Sequence, residues 1–353
     1  MTQAPQPPFG NPPGPNPPGP PALTLARSIA PSDTSTSVLI DPPAGPQITT
    51  GAVGVSAYGD VVYATRAVPG GREVPLRLDL LVPDTAGAKP LVVYLPGGGF
   101  VMASKEMALD RRRFVAEAGY AVASIEYRTV PLGATYRDAV ADAKSAIRFL
   151  RAHAADYGID ASKVAVWGES AGGYLVSMVG VTNGSAQFET PDNAAFSSDV
   201  QAVIDLFGAT DLAKIAADFD PHAQQAHLAP GTPAAAFVFG PGTGRSLADD
   251  PAAIAEADPS TSAGAATPPF LIFHGSGDNV ISPSQTLLLH TALLKHGVPS
   301  TRYVLDGAGH GDLAAMLGDP EAALPWSTRQ LLGYITDFLG QHLQPSKDPA
   351  RFR

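Results

Sequence analysis

The residues that most clearly suggest catalytic chemistry form the pentapeptide Gly-Glu-Ser-Ala-Gly, residues 168–172, with Ser170 at its centre. The apolar run 164–167 leads into it and a helical pattern follows, which predicts a strand, a sharp turn and a helix. The glycines on either side leave room for a turn that exposes the serine at the head of the helix. A hydroxyl held there can attack a carbonyl if a base and an oxyanion site lie nearby. The pattern also suits a capping serine at an ordinary helix start, so it leaves both interpretations open.

A nucleophilic serine needs a base, and the chain contains eight histidines. For a serine on a turn between a strand and a helix, we expect the order Ser, then Asp or Glu, then His. His153 precedes the serine, and His274 precedes the acid that we expect. The base predicted is His310, which follows a predicted strand and lies between glycines in Gly-Ala-Gly-His-Gly. Such a loop suits the presentation of one imidazole, although a surface histidine would fit it too.

The orienting acid is expected on the loop after the predicted strand 270–274, and Asp278 lies on that loop. Asp306 is a weaker alternative because it precedes His310 by only four residues. Asp278 could also be an ordinary turn aspartate before the helix that starts near Ser282. The remaining acidic candidates have no strand to position them: Asp250, Glu256 and Asp258.

A site for the oxyanion is predicted where the strand 92–95 runs through Pro96 into three consecutive glycines, residues 97–99. Backbone N–H groups approach a developing negative charge most closely where no side chain interferes. We expect Gly98 and Gly99 to supply two donors and Ala171 a third. A flexible loop is the alternative; a phosphate cradle is disfavoured because no Gly-Lys-Ser/Thr ending follows.

The elements around these residues predict an α/β fold with a mostly parallel sheet, helices on both faces and an antiparallel N-terminal hairpin over about 60–82. An irregular stretch without a clear strand, about 209–265, is expected to form a cap over one end of the sheet. We predict a Pro-rich, largely disordered tail over 1–45, the folded domain over 46–345 and a short C-terminal tail over 346–353.

Composition narrows the function classes. The 353 residues carry a net charge of −10 with no long basic block, which disfavours nucleic-acid binding. No cysteine is present, so disulfides, thiol chemistry and cysteine metal sites are excluded. No apolar run is long enough for a membrane span and no secretory signal is visible, so a cytoplasmic location is the default, with secretion left open. His222 and His227, with Asp218 and Asp220, form a weak cluster that fits a solvated surface better than a metal site.

With these motifs in place, the chain resembles the α/β-hydrolase superfamily over roughly residues 60–343. More narrowly it resembles the hormone-sensitive-lipase-like and feruloyl-esterase-like bacterial carboxylesterases. The resemblance is densest in four segments: 127–128, 137–142, 157–160 and 167–173. It implies an α/β-hydrolase fold, with Ser170 as nucleophile, Asp278 as acid, His310 as base, and Gly98, Gly99 and Ala171 as oxyanion donors.

One departure from the family concerns Pro96, since the family usually has a histidine before the three glycines. That histidine is thought to brace the glycine loop. A proline has no donor but fixes its own φ, so the bracing of the loop is in question while its donors remain.

The expected function is hydrolysis of a small-molecule carboxylic ester through an acyl-enzyme, without cofactor or metal and with homo-oligomerisation left open. Phe100, Val101 and Glu169 are expected at the substrate pocket, with the cap over it. Two alternatives remain. An amide or peptide hydrolase, such as a formamidase or a peptidase, would use the same residues, and a non-catalytic ligand receptor would use the same fold.

Overall fold

The alternating strands and helices of the sequence form one mixed sheet. Across residues 25–41, 46–316, 318 and 323–343, which the computed structural model describes, this sheet has nine strands. They are β1 (Val38–Ile40), β2 (Val55–Val68), β3 (Arg72–Pro83), β4 (Lys89–Leu95), β5 (Ala121–Ile125), β6 (Ile159–Glu169), β7 (Ala202–Leu206), β8 (Phe270–Gly275) and β9 (Ser300–Leu305). Their order across the sheet is β1-β9-β8-β7-β6-β4-β5-β3-β2.

The direction of the strands matches the prediction. β2 and β3 form the antiparallel hairpin, and β3 also runs antiparallel to β5. All other neighbouring strands of this sheet are parallel, including β4 with β6 and β8 with β9. The carboxyl ends of β4, β6, β8 and β9 therefore lie along the same edge, where a parallel sheet commonly binds ligands.

Helices cover both faces of the sheet. They are α1 (Leu109–Glu117), α2 (Tyr136–Ala152), α3 (Ala154–Tyr157), α4 (Ala171–Val181), α5 (Pro221–His227), α6 (Pro233–Phe239), α7 (Pro251–Glu256), α8 (Ser284–Lys295), α9 (Leu313–Met316) and α10 (Arg329–Leu343). The central strands β4, β5 and β7 are buried along their whole length, which is why they read as continuous apolar runs in the sequence.

The alternation of side chains along β4 divides the core into two layers. Leu91, Val93 and Leu95 belong to the layer that includes α2, α4 and α8. Val92 and Tyr94, which point to the opposite face, belong to the layer that includes α1 and α10. The sheet is thus fixed from both sides, and the turns at its carboxyl edge start from a rigid base.

The insertion between β7 and β8 is helical, which corrects the expectation of an irregular cap. It contains the short helices α5, α6 and α7. Each begins with a proline directly after a residue whose side chain accepts hydrogen bonds from the first turn: Asp220, Thr232 and Asp250. Proline suits this first position because the N–H it lacks would have no helical partner. The sequence carried this start signal three times.

Part of the predicted N-terminal tail is folded, which corrects the boundary at residue 45. Residues 25–41, called the N-terminal strap below, include β1, which pairs in parallel with β9. The backbone N–H of Ala30 donates to the carbonyl of Asp218, and that of Ala26 to the carbonyl of Asn279. A strand of three residues is too short to show alternation, and its partners are far away in the chain. Residues 1–24 and 42–45 and the predicted tail 346–353 lie outside the described residues.

Of the helices within the described ranges, none combines the length and the apolar character that a bilayer crossing requires.

Candidate active site

Ser170 lies on a sharp turn between β6 and α4, as the sequence predicts. Its φ of 55° and ψ of −119° place a non-glycine residue in a strained conformation. Neighbouring elements hold this strain: the Ser170 N–H donates to the carbonyl of Leu206 at 2.9 Å. A side chain at Gly168 would clash with the carbonyl of Gly172, and one at Gly172 would clash with the carbonyl of Leu95. Both glycines are therefore required by close backbone packing around the serine.

The structure brings the three predicted side chains into one hydrogen-bonded chain. His310 Nε2 lies 2.9 Å from Ser170 Oγ, and His310 Nδ1 lies 2.7 Å from Asp278 Oδ2. The turns after β6, β8 and β9 supply one residue each. A carboxylate at Nδ1 keeps the proton on that nitrogen, which leaves Nε2 free to accept the serine proton.

Asp278 is fully buried and is surrounded by donors. Its Oδ1 accepts the backbone N–H groups of Val280 and Ile281, each at 2.9 Å. Its Oδ2 is shared by His310 and by Nε2 of His274, the latter at 3.2 Å. Burial alone would raise the pKa of Asp278, but the charge and hydrogen bond of His310 and the hydrogen bond of His274 outweigh it and hold the pKa well below its usual range. Asp278 is therefore ionised at neutral pH.

The imidazole of His310 is held by an aromatic pair as well as by hydrogen bonds. The ring of Phe207 meets it edge to face, with centroids 4.7 Å apart, and Trp326 packs against the other side of Phe207. The Trp326 indole N–H donates to the carbonyl of Gly309, one residue before the histidine, at 3.2 Å. This packing limits the rotation of the imidazole.

The glycine loop, residues 96–102, packs against the serine. A Cβ atom at Gly97 would lie 3.2 Å from Ser170 Cβ, so the two turns are in van der Waals contact. Within the described residues, the N–H groups of Gly98, Gly99 and Ala171 donate to no protein acceptor. The N–H of Ala171 lies in the first turn of α4, where helical N–H groups have no partner in the helix. These three donors remain available to a negative charge.

The bracing of this loop, which Pro96 puts in question, is supplied by other residues. The Tyr127 hydroxyl donates to the Pro96 carbonyl at 2.7 Å, and the Val130 N–H donates to the Phe100 carbonyl at 3.0 Å. Tyr127 belongs to a segment of dense family resemblance, yet nothing in its local sequence indicates this contact.

The predicted pocket residues have different surroundings. Phe100 is buried and stacks on Phe237 of α6 at 4.3 Å between centroids, with Tyr174 of α4 edge-on to both rings. Val101 is half-buried. Glu169 forms a buried ion pair with Arg111 at 2.9 Å, so its carboxylate faces a guanidinium. The sequence predicts a pocket position for Glu169 because of its place beside the serine, but it gives no sign of this partner in α1.

The other acidic candidates have different partners. Asp306 accepts from the hydroxyl of Ser276, Asp250 caps α7, and Glu256 pairs with Arg137. Asp258 caps the 3₁₀ turn that begins at Pro259.

The cluster around His222 and His227 has structural contacts of its own. Asp220 caps α5, and the Asp218 carboxylate accepts the N–H of Ser284. In the part of the chain that the structure describes, no group of three or more His, Asp or Glu side chains is arranged so that it could hold a metal ion.

His274 is the residue that sequence reasoning set aside. Chain order excludes it as the base, but it lies next to Asp278, fully buried, and its second nitrogen contacts the Thr286 hydroxyl at 2.9 Å. In the sequence, the only indication of its contact with Asp278 is its position four residues before that acid.

Comparison with known proteins adds two kinds of similarity. A family model described as BD-FAE matches residues 78–293. A probable isoprenylcysteine alpha-carbonyl methylesterase from Oryza sativa is 28% identical, covering 72% of this chain and 58% of its own length. A probable carboxylic ester hydrolase, LipM from Mycobacterium tuberculosis, is 27% identical, covering 64% of this chain and 49% of its own. The chain thus spans about half the length of these relatives.

Solved structures share the architecture. A truncated carbohydrate esterase from gut microbiota aligns with a TM-score of 0.66 at 24% identity, covering 84% of this chain and 99% of that one. Esterase 2 of Thermogutta terrifontis, phosphorylated by paraoxon, aligns with a TM-score of 0.61 at 24% identity, covering 83% and 96%. At this level of identity the likeness concerns the fold.

Proposed function

Because the chain belongs to the BD-FAE family and has the α/β-hydrolase fold, we propose that it hydrolyses carboxylic esters through an acyl-enzyme intermediate. The observation that carries the proposal is the hydrogen-bonded chain from Ser170 through His310 to Asp278, with contacts of 2.9 and 2.7 Å. A serine activated by an oriented histidine is the arrangement that acyl transfer requires.

In the first half of the proposed reaction, Ser170 Oγ attacks the carbonyl carbon of the ester while His310 Nε2 takes its proton. The carbonyl oxygen becomes an oxyanion, which accepts hydrogen bonds from the N–H groups of the glycine loop and of Ala171. His310 then gives its proton to the alcohol oxygen, the C–O bond breaks, and the acyl group remains on Ser170. Asp278 stays ionised throughout and stabilises the positive charge of His310, in accord with its depressed pKa.

In the second half, water attacks the acyl carbon and His310 removes a proton from it. The same donors stabilise the second oxyanion. When the bond to Ser170 Oγ breaks, His310 returns the proton to the serine, and the carboxylic acid leaves. The proton transfers use Ser170, His310 and Asp278, which already lie within hydrogen-bonding distance in that order, so these side chains need little reorganisation.

The proposed substrates are small-molecule carboxylic esters. The two relatives described above are named as a methylesterase and as a carboxylic ester hydrolase. Because this chain spans only part of each relative's length, the proposal concerns the type of bond that is cleaved, a carboxylic ester. It does not extend to the particular substrates of those relatives. A panel of p-nitrophenyl acyl esters with aryl, phthalate and hydroxycinnamate esters will define the acyl and alcohol groups.

The proposal is tested by replacing the nucleophile. Ser170→Ala is expected to abolish ester hydrolysis and labelling by a fluorophosphonate probe, because no other group can form the acyl-enzyme. Ser185→Ala, which changes an exposed serine beyond the C-terminal end of α4, is the matched control and should keep both. Near-normal turnover in Ser170→Ala, or a probe adduct at another residue, would overturn the proposal.

Matched ester and amide substrates separate the proposal from amide or peptide cleavage. Resonance stabilises an ester carbonyl less than an amide carbonyl, so the serine attacks the ester more readily and the ester should be strongly preferred. A higher kcat/KM for the amide of the same acyl group would instead identify an amidase or peptidase.

A further inference from the structure

A line of buried polar side chains continues beyond Asp278, away from the serine. His274 Nε2 contacts Asp278, and His274 Nδ1 lies 2.9 Å from the Thr286 hydroxyl. Thr286 Oγ1 in turn accepts from Arg302 Nε at 3.0 Å. All four side chains are at most 1% exposed. The ester hydrolysis proposed above uses Asp278 but none of the other three.

Arg302 is a buried cation whose donors all meet neutral oxygens. Besides Thr286, its guanidinium donates to the Pro283 carbonyl at 2.8 Å and to the Ser37 hydroxyl at 2.7 Å. Burial lowers the pKa of Arg302 to about 10, which still leaves it charged at neutral pH. A buried charge without an adjacent counter-ion is costly. Among the described residues no carboxylate pairs directly with Arg302, although Asp218 and Asp33 attract it from farther away, so its hydrogen bonds to three neutral oxygens are what hold the charge in place.

Arg302 determines which atoms donate and which accept in the hydrogen bonds from Thr286 to His274. A guanidinium can only donate, so Thr286 Oγ1 must accept from Arg302. The Thr286 hydroxyl proton is then free to donate, and the His274 nitrogen at 2.9 Å is a much better acceptor than the Pro283 carbonyl at 3.4 Å. His274 Nδ1 is therefore an acceptor, and the proton of the neutral imidazole resides on Nε2.

That tautomer is the one Asp278 needs. His274 Nε2 faces the Ile281 carbonyl at 3.1 Å and Asp278 Oδ2 at 3.2 Å, and both of these are acceptors. With the proton on Nε2, the imidazole donates to the Ile281 carbonyl and turns the same N–H edge towards the Asp278 carboxylate. With the proton on Nδ1, an unprotonated nitrogen would face two oxygens and push the carboxylate away. Burial also lowers the pKa of His274, which favours the neutral ring.

We propose that His274 is a positioning residue for Asp278, and that Arg302, acting through Thr286, holds it in the tautomer whose N–H edge faces the carboxylate. The inference rests on the proposed ester hydrolysis for its kinetic consequence, but its geometry does not. It also gives the N-terminal strap a role, since Ser37 binds the same guanidinium and Ala26 binds the loop of Asp278. The strap and the acid are thereby joined through Arg302.

The test removes the Thr286 hydroxyl, which links Arg302 to His274. We call this link from Arg302 through Thr286 to His274 the relay. Thr286→Val keeps the shape of the side chain and leaves a buried nitrogen unpaired in either tautomer of His274. We expect kcat for p-nitrophenyl acetate to fall about tenfold, the order of one buried hydrogen bond, with KM little changed. Thr286→Ser is the matched control: it restores the hydroxyl and should recover wild-type kcat.

A spectroscopic measurement makes the test independent of turnover. The proton between His310 Nδ1 and Asp278 should give a low-field ¹H NMR signal that disappears in Asp278→Asn. We expect Thr286→Val to shift or broaden this signal and Thr286→Ser to leave it in place. His290→Gln removes the contact between the His290 ring and the carbonyl of Thr36 in the N-terminal strap. It controls for a general loosening of the strap. It should leave the signal unchanged.

The outcomes separate the two proposals. If the wild type hydrolyses no ester, the proposed function fails, and the NMR signal still decides the positioning role. If the wild type is active and Thr286→Val matches it in both kcat and signal, the relay is refuted. Equal losses in Thr286→Val and Thr286→Ser would refute it as well, because packing and not the hydroxyl would then be responsible.

Discussion

The two sides of Ser170 are held in place by different forces. On the acid side, the carboxylate of Asp278 receives three hydrogen bonds and a 3.2 Å contact from His274, which extends the polar contacts deeper into the core. On the oxyanion side, the glycine loop is held mainly by packing, with Phe100 stacked on Phe237 of the cap. Two hydrogen bonds supplement this packing, from the Tyr127 hydroxyl to the Pro96 carbonyl and from the Val130 N–H to the Phe100 carbonyl.

The difference follows from what each side must do. Proton transfer depends on the direction and tautomer of His310; the packing of Phe207 limits the rotation of the ring, but the tautomer is specified by directional hydrogen bonds. The oxyanion donors are backbone N–H groups, so their position is set by the path of the loop, and apolar packing can fix that path. Since Phe237 lies in the insertion, changes in the cap are expected to alter the oxyanion side while the acid side stays constant.

The largest effect is expected from a direct change in the path of the glycine loop. A Cβ at Gly98 would clash with the carbonyl of Met102, and its φ of 146° is unfavourable for any other residue. Gly98→Ala should therefore displace the loop and lower kcat by about 10²–10³, the usual cost of losing one oxyanion donor. The measurement is kcat and KM for p-nitrophenyl acetate, with thermal unfolding to verify the fold.

Gly99→Ala is the control for this prediction. A Cβ at Gly99 meets no atom within 4 Å, so only the strain of its φ of 58° is added. A much smaller loss is expected, because the loop keeps its path and its N–H groups. Equal losses in both variants would indicate that the donors are not positioned by the contact with Met102.

The fold and the order of the site residues could be predicted because they depend on local patterns. The apolar runs mark the strands, and the spacing of Gly168 and Gly172 marks the turn that carries Ser170. The positions of Asp278 and His310 follow from the chain order that the resemblance to the α/β-hydrolases implies. These features are contained in short segments, where periodicity and turn chemistry are informative.

What could not be predicted depends on contacts between distant residues. Ser37 and Arg302 are 265 residues apart in the chain and become neighbours only when β1 joins β9. The partner of Glu169, Arg111, lies in a short helix in which it looks like a surface residue. The stack of Phe100 on Phe237 crosses from the glycine loop to the cap. None of these contacts produces a periodic pattern in the sequence from which it could be predicted.

A smaller effect is expected from the aromatic stack. Phe237→Leu keeps an apolar side chain of similar size but removes the ring that packs 4.3 Å from Phe100. An aromatic pair contributes about 0.5–1.5 kcal/mol beyond its buried area, so kcat should fall by at most about tenfold. Phe239→Leu is the control on the same helix, because its ring packs under Arg245 instead. If Phe239→Leu lowers kcat as much as Phe237→Leu, the stack does not position the loop.

The smallest effect is expected on thermal stability, and it comes from the difference between two buried carboxylates, Asp205 and Asp278. Asp205, near the end of β7, is as buried as Asp278, but among the described residues its carboxylate accepts only the Gly208 N–H and the Ser177 hydroxyl. Burial outweighs these two bonds and raises the pKa of Asp205 to about 7. Three hydrogen bonds and the His274 contact thus keep Asp278 ionised, whereas Asp205 holds its proton near neutral pH.

The consequence for stability has a definite sign. Between the unfolded pKa of about 4 and the folded pKa of about 7, the folded protein binds a proton at Asp205 that the unfolded chain has lost. The stability that Asp205 contributes is therefore fully present below pH 4 and is lost as the pH rises through 7. Asp205→Asn cannot ionise, and its amide can keep both contacts. Its melting temperature relative to wild type should therefore be higher at pH 8 than at pH 5, with kcat retained. A difference that is constant with pH would mean that burial does not protonate Asp205, and that hydrogen-bond number is not what distinguishes the two carboxylates.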